Sequence, residues 1–438
     1  MQPRVLLIQP PIYDFSAHDF WLKPYGLLRV AGQLRGQASM QLFDYLDREP
    51  LSPAQRRGLR VDPWGRGQFP SQIIDKPACF KSIPRHYRRF GRPRSELQQR
   101  LAEEPAFDFV LIQTVMTYWY LGVKEVIEDV RRWQPQAKIV LGGVYATLCP
   151  EQARRLGADL VVWGSQLEPL WSLMKTKPLV NALPYWEGYA RLSVGILKLA
   201  QGCPFRCTYC SVPQVEPDFK LNDQSQALEE LSELHARGVR NVAFYDDALL
   251  YKADHMLLPF LDAVRRRPWV GQVHFHTPNA LNARFINQEV AVAMVQSGFR
   301  TFHLGFESSA YEWQKKTGGK VYAHEFARAV QHLVAAGAER QNIVAYLIAG
   351  HPAGDQNLEA SMHAVHDLGV RVMLSEFSPI PGTPDGEACR SFLDLDEPLW
   401  HNKTVCPMLL LGHEEVQRLK QLQHHLNQSL KGPALVPV

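Results

Sequence analysis

From residue 195 to residue 377 the chain repeats one unit about every 30 residues: a short apolar run, then a segment with helical apolar spacing. The runs are GILKLA (195–200), NVAFYD (241–246), VHFH (273–276), TFHLGF (301–306), IVAYLIAG (343–350) and VRVMLSEF (370–377). Helices are expected between them at 224–237, 254–267, 287–297, 323–336 and 356–368. Four of these end near Gly238, Gly298, Gly337 or Gly369, where glycine is the usual C-terminal stop. Alternating strands and helices form parallel sheets. Six consecutive units predict a partial (β/α)6 barrel, with its chemistry at the carboxyl ends of the strands.

The first part of the chain alternates in the same way but with a different plan. Strands are expected at RVLLIQ (4–9), DFVLIQTVM (108–116), KIVLGG (138–143) and DLVVWG (159–164). Helices are expected at 24–35 and 122–133. The pattern predicts an α/β fold of the doubly wound, Rossmann-like kind, which binds ligands beyond the carboxyl ends of its strands. Residues 50–105 interrupt it with an Arg-, Pro- and Gly-rich insertion, and 178–190 read as a linker. The expected domains are 1–180, 181–385 and a helical extension at 386–438, ending in a polar amphipathic helix at 413–430.

Composition narrows the class. The chain has 438 residues, 46% apolar and 21% charged, which excludes disordered, collagen-like and coiled-coil chains. No apolar run approaches the ~20 residues of a membrane span. The opening MQPRVLLIQPP reads as a strand rather than a signal peptide. Seven cysteines, an odd number, argue against a disulfide framework and for a cytoplasmic protein. The net charge of +4 is uneven: residues 51–100 alone carry 12 Lys/Arg against 3 Asp/Glu. That stretch can bind nucleic acid, bind an anionic ligand, or be a structurally necessary insertion. Arginines interleaved with Trp64, Phe69, Phe80, Tyr87 and Phe90 favour the last reading, a packed subdomain.

The sharpest motif is GCPFRCTYCSVP (202–213), directly after the first barrel strand. Cys203, Cys207 and Cys210 are spaced Cys-x3-Cys-x2-Cys. Close thiolates on one loop suit an iron–sulfur cluster, and three of them leave one iron of a [4Fe–4S] cluster open. The alternative is structural zinc, which wants a fourth ligand and would have to take it from afar, at Cys389 or Cys406. Cys79, Cys149, Cys389 and Cys406 share no ligand spacing and read as core thiols.

With this motif on the first strand–helix loop, the chain resembles the radical S-adenosylmethionine (SAM) superfamily. The resemblance implies that the open iron chelates SAM, whose reductive cleavage gives a 5′-deoxyadenosyl radical that abstracts hydrogen from substrate. It implies an external one-electron reductant of flavodoxin or ferredoxin type. It also implies roles for strand-end residues. Tyr209 would lie near the adenine. Asp246, with Asp247 in FYDD (244–247), would lie near the methionine end. Glu307 in LGFES (304–308) would bind the ribose. Gly350 and Pro352, with Gly354 in AGHPAGD (349–355), would form a turn facing adenine. SPIPGTP (378–384) resembles a family turn after the sixth strand. His274, His276, His303 and Glu376 are candidates for positioning substrate, against the commoner role of core residues.

The first domain resembles the cobalamin-binding Rossmann-type domain that precedes many radical SAM domains. The matching pieces are PYGLL, TVMT (114–117), LGGVYATLCPEQA (141–153) and DLVVWG (159–164). The resemblance implies that Thr114, Gly142 and Gly143 line a groove for the nucleotide tail. Glycine also serves any plain strand-to-helix turn. The Asp-x-His-x-x-Gly motif that supplies a cobalt ligand in methionine-synthase-type domains is absent: the first loop reads PPIYDFSAHDFW. MTYWY (116–120) could face a corrin or simply pack.

The expectation is therefore a radical SAM enzyme with a [4Fe–4S] cluster, SAM and, as a further candidate, cobalamin. Methyl transfer to an unactivated carbon leads. A cobalamin-independent enzyme doing rearrangement, cyclisation or methylthiolation follows, and then a non-catalytic iron–sulfur or corrin sensor. Methylthiotransferases carry three further cluster cysteines in the first domain, where this chain has only Cys79 and Cys149. A small-molecule substrate is expected, and nucleic acid is not.

Overall fold

The computed structural model describes residues 2–354, 357–430 and 436–437. These form two compact units, one of residues 2–192 with 396–402, the other of 193–395 with 403–430.

The first unit is built on a parallel sheet. Its strands are β1 (Arg4–Gln9), β2 (Ser39–Asp44), β3 (Phe109–Thr114), β4 (Lys138–Gly143) and β5 (Leu160–Val161), in the order β5-β4-β3-β1-β2. Helices α1 (Tyr25–Gln33), α2 (Arg94–Glu103) and α3 (Tyr120–Trp133) belong to the same unit. The strands are rich in Val, Leu and Ile because a parallel sheet is covered on both faces. Val5 to Ile8 and Val110 to Ile112 are accordingly buried. Helix α3 buries Val123, Val126, Ile127 and Val130, the apolar stripe expected from its spacing. Strand order reverses between β1 and β3, which makes the carboxyl ends of these two strands the switch point.

Three features differ from the sequence reading. Strand β2 was not expected, because SMQLFD is an edge strand with its first residue exposed and only Phe43 and Asp44 buried. The expected linker at 178–190 is part of the first unit: Trp186 is fully buried and the Tyr185 N–H donates to Leu28 O at 2.9 Å. The expected extension at 386–438 is not one module, since 396–402 join the first unit and 403–430 the second.

The basic insertion packs. Its strands Ser71–Ile74 and Tyr87–Phe90 form an antiparallel sheet with Ile12–Asp14. Arg66, Arg89, Arg92 and Arg94 pair with carboxylates. Arg89 makes a buried two-pronged contact with Glu125 at 2.9 and 2.7 Å, and Arg94 does the same with Asp129 at 2.8 Å. Arg92 lies over the Phe43 ring at 4.4 Å.

The second unit holds six parallel strands in sequential order: β6 (Val194–Leu197), β7 (Asn241–Phe244), β8 (His274–Asn282), β9 (Phe299–Glu307), β10 (Ile343–Ala349) and β11 (Arg371–Glu376). The connecting helices are α4 (Gln224–Ala236), α5 (Leu257–Arg265), α6 (Gln288–Gln296), α7 (Ala323–Ala335) and α8 (Leu358–Asp367). Side-chain caps start two of them: Asp223 accepts from Ser225 N–H, and Asn287 from Val290 N–H. The last helix, α9 (His413–Ser429), packs beside β11, where its Asn427 and Gln423 side chains accept the N–H groups of Val372 and Leu374. The two side chains cover an edge strand that would otherwise show open backbone groups.

Candidate active site at the carboxyl ends of the strands

A cavity of about 450 Å³ opens at the carboxyl ends of the six strands of the second unit. Cys203, Cys207 and Cys210 line it together with Tyr209, Asp247, Asn282, Glu307 and Lys320. The cysteine loop begins with Gly202 at φ 72°, where a Cβ would sit 2.4 Å from Asp218 O, so only glycine fits there. Burial pushes all three thiols up, Cys210 to about 11. The Lys320 ammonium opposes that rise at Cys207 and Cys210.

The donor set fits a cluster better than a single ion. Among the described residues no three His, Cys, Asp or Glu side chains converge on one ion position. Structural zinc draws four ligands onto one point. A cubane spreads its thiolates over separate iron corners, which matches three cysteines facing one cavity without converging. Cys389 and Cys406, the zinc alternative's distant ligands, do not line the cavity and instead hydrogen-bond each other.

Tyr209 is half-buried with its hydroxyl beside the Cys207 thiol, and its ring stacks on Trp313 at 6.4 Å. Asp246 and Asp247 split. Asp247 lines the cavity and pairs with Lys198 at 3.3 Å. Asp246 lies beneath: its Oδ1 accepts the N–H groups of Leu199 and Ala200 at 2.9 and 2.6 Å, while Oδ2 is buried without a hydrogen-bond partner. Burial pushes its carboxyl up to about 7, against the opposing pull of Lys198.

Glu307 ends β9 at φ 65°, an uncommon left-handed conformation for a side-chain-bearing residue. Its Oε1 accepts from Lys320 Nζ at 2.9 Å. The Lys320 side chain is 17% exposed, and the sequence reading did not single it out. The available signal was two glycines before a lysine in the loop after the fourth strand. Gly318 lets that loop close on the cysteines, since a Cβ there would lie 3.0 Å from Cys207 Cα. Gly305 makes room for the ammonium, which would lie 2.4 Å from a Cβ at that position. Asn282 was also overlooked; its Nδ2 is buried without a hydrogen-bond partner.

Gly350 lies elsewhere. Its φ is 73°, a Cβ would sit 2.5 Å from Pro407 Cα, and it lines a second cavity of about 250 Å³ with His351 and Gly354. Pro352 follows in the half-buried turn, and Asp355 of the same motif lies outside the described residues. Among the other candidates, His276 is a satisfied core residue, bonded to Thr301 and Asn241 at 3.0 Å each. His274 accepts from Arg300 at 3.2 Å. His303 stacks on Tyr346 at 5.6 Å. Glu376 lines the main cavity and pairs with Lys420 at 2.5 Å.

In the first unit, Thr114, Gly142 and Gly143 end β3 and β4 beside the switch point. Gly143, at φ 93°, is required by the fold itself, because a Cβ would sit 2.7 Å from both Gln113 Cγ and Thr114 O. Gly142 is different: a Cβ there would meet only Val162, at 3.9 Å, so this strand end offers open backbone to a ligand. That opening lies one strand from the switch point. Tyr118, Trp119 and Tyr120 are buried in packing. Met116 and Trp163 are the large apolar side chains exposed near these strand ends, at 41% and 52%.

Residues 197–365 match the Radical SAM superfamily, and residues 86–172 match the B12 binding domain. Among solved structures, the radical S-adenosylmethionine methyltransferase TsrM from Kitasatospora setae, with tryptophan substrate and a SAM analogue bound, gives a TM-score of 0.69 at 16% identity, over 96% of this chain and 89% of that one. The cobalamin-dependent S-adenosylmethionine radical enzyme OxsB gives 0.58 at 12% identity, over 97% and 61%. These likenesses show a shared fold. Among curated proteins, the threonylcarbamoyladenosine tRNA methylthiotransferase MtaB of Thermotoga maritima is 23% identical over 282 residues, 60% of this chain and 64% of that protein. The ribosomal protein uS12 methylthiotransferase RimO of Pelobacter propionicus is 28% identical over 118 residues. The chain thus spans less than two thirds of the first relative and 24% of the second. With a three-cysteine cavity at the strand ends of one unit and a switch-point sheet in the other, the chain carries a Radical SAM domain and a B12 binding domain.

Proposed function

We propose that this enzyme is a cobalamin-dependent methyltransferase acting on an unactivated carbon. The observation that carries the reading is the pairing of two sites in one chain: a cavity lined by three cysteines and the Glu307–Lys320 pair, and an open Gly142 strand end one strand from the switch point of the first unit. A [4Fe–4S] cluster on Cys203, Cys207 and Cys210 supplies the electron for reductive cleavage of SAM. A corrin on the first unit supplies a methyl carrier.

The chain's own residues have the following parts. The three thiolates hold the cluster. Lys320 keeps positive charge beside it, where an anionic carboxylate can be met. Glu307, an acceptor held rigid at the end of β9, suits the vicinal hydroxyls of a ribose. Tyr209 closes the wall beside Cys207. Thr114 and Gly142 receive the tail of the corrin. Gly350 and Pro352 set the turn after β10 and act on the cofactor only through the residues around them.

Methylthiolation is the second reading, favoured by the two curated relatives. It needs more sulfur ligands than the first unit has, since Cys79 and Cys149 are its only cysteines and burial holds both as thiols. The deciding experiment is anaerobic reconstitution with iron, sulfide and hydroxocobalamin, followed by counting metals per chain. About four irons and one cobalt support the proposal. About four irons with no cobalt, and 5′-deoxyadenosine still formed from SAM, would overturn its corrin half.

A further inference from the structure

Thr208 stands between the second and third cysteines of the cluster loop, and three turns of the barrel mouth are anchored to it. Its N–H donates to Thr317 O at 3.3 Å, after β9. Its carbonyl accepts the Asp385 N–H at 3.2 Å, and its hydroxyl donates to Asp385 Oδ2 at 2.5 Å, after β11. The same Oδ2 receives His351 Nε2 at 2.9 Å, after β10.

The imidazole is fixed in one form. His351 Nδ1 accepts the Ala353 N–H at 3.2 Å, so the ring proton sits on Nε2 and is donated to Asp385. Its ring is 3% exposed and wedged between Trp313 at 5.2 Å and Phe377 at 5.0 Å. Asp385 is equally fixed. The turn that carries it (Pro384–Glu387) is capped by the Thr383 hydroxyl, and a Cβ on Gly386 would lie 1.9 Å from Ile380 O. The Cys389 thiol holds the Asp385 carbonyl at 3.4 Å. Burial opposes ionisation of this carboxyl, but the His351 and Thr208 donors hold it below the usual carboxylate range.

A clamp alone needs only an acceptor. Here two donors hold a carboxylate that is bonded to Thr208, one residue from Cys207 and two from Cys210. Charge and hydrogen bonds around a cluster set its potential, and outer residues orient the ligands. We propose that Asp385, oriented by His351 and bonded to Thr208, is a positioning residue that fixes the cysteine loop and keeps the reduction potential of its cluster low. The inference rests on reading Cys203, Cys207 and Cys210 as ligands of a [4Fe–4S] cluster.

The test uses the full reconstituted chain and a potentiometric titration followed by electron paramagnetic resonance. Wild-type iron content is counted first: fewer than about three irons removes the cluster reading and this inference with it. Asp385→Asn keeps the shape and removes the charge. With its irons retained, its reduced-to-oxidised ratio at fixed potential is expected to rise about tenfold, ~59 mV for one electron. Full iron content with an unchanged midpoint overturns the proposal while leaving the cluster reading intact. Should Asp385→Asn lose its irons, Asp385→Glu, which keeps the charge, is titrated instead. A wild-type midpoint there supports the assignment, and a tenfold change in the ratio overturns it.

Discussion

Glu307 combines an unusual backbone conformation with a buried ion pair, and its substitution separates cofactor binding from cluster assembly. Glu307→Ala is expected to weaken SAM binding at least tenfold, ~1.4 kcal/mol, with iron content unchanged. Isothermal titration of the reconstituted protein reads this, and wild-type affinity would remove Glu307 from the site. Cys203→Ala, Cys207→Ala and Cys210→Ala are each expected to abolish the cluster. Full iron content with SAM cleavage in any one of them would sink that assignment. Asp246 gives a pH signature. Its folded carboxyl is raised from about 4 to about 7, so the native state holds a proton that the unfolded chain has lost. Its contribution is present below that window and falls as pH rises through it. Apo-protein stability by urea titration is expected to decline between these pH values, and Asp246→Asn to flatten the decline.

At the scale of elements, helix glycines show how far packing overrides propensity. Gly→Ala inside a helix normally stabilises by ~1 kcal/mol. A Cβ on Gly32 in α1 would lie 2.1 Å from Leu183 O, and one on Gly122 in α3 would lie 1.9 Å from Pro11 O. Both substitutions are therefore expected to destabilise, by about 1–3 kcal/mol, as overpacking does. A raised melting temperature in either variant would contradict the close approach. Gly32 also explains why 178–190 is no free linker, for the helix is shaved to let Leu183 lie on it. Such a contact leaves no mark in the local sequence, where Pro178, Pro184 and Gly188 read as loop. Strand β10 was legible because its apolar run, IVAYLIA, is long. Strand β2 was not, because only its last two residues, Phe43 and Asp44, are buried.

For the molecule as a whole, the cysteine spacing and the two strand–helix patterns already specified both units. What the sequence hid was everything made by distant loops meeting: Lys320 beside the thiols, Asp385 on Thr208, and the parting of Asp246 from Asp247. Spacing identifies ligands on one loop, but it carries no information on which turn a neighbouring strand delivers. The basic insertion was legible only in outline. Its arginines find acids such as Glu125 and Asp129 on α3, so its charge serves packing. Glu125→Leu is expected to cost about 3–5 kcal/mol by stranding the buried Arg89, and the double variant with Arg89→Met to recover most of it. Equal melting of the two variants would deny that pair its structural role.

The raised thiols have one more consequence. Near neutral pH all three ligands are protonated, so building the cluster must expel three protons from the loop. Assembly is then an acid-releasing reaction, and its equilibrium improves by about a thousandfold for each pH unit while the thiols stay protonated. Maturation in an unbuffered solution with a pH indicator should report that release directly. Acidification therefore works against cluster assembly at this loop.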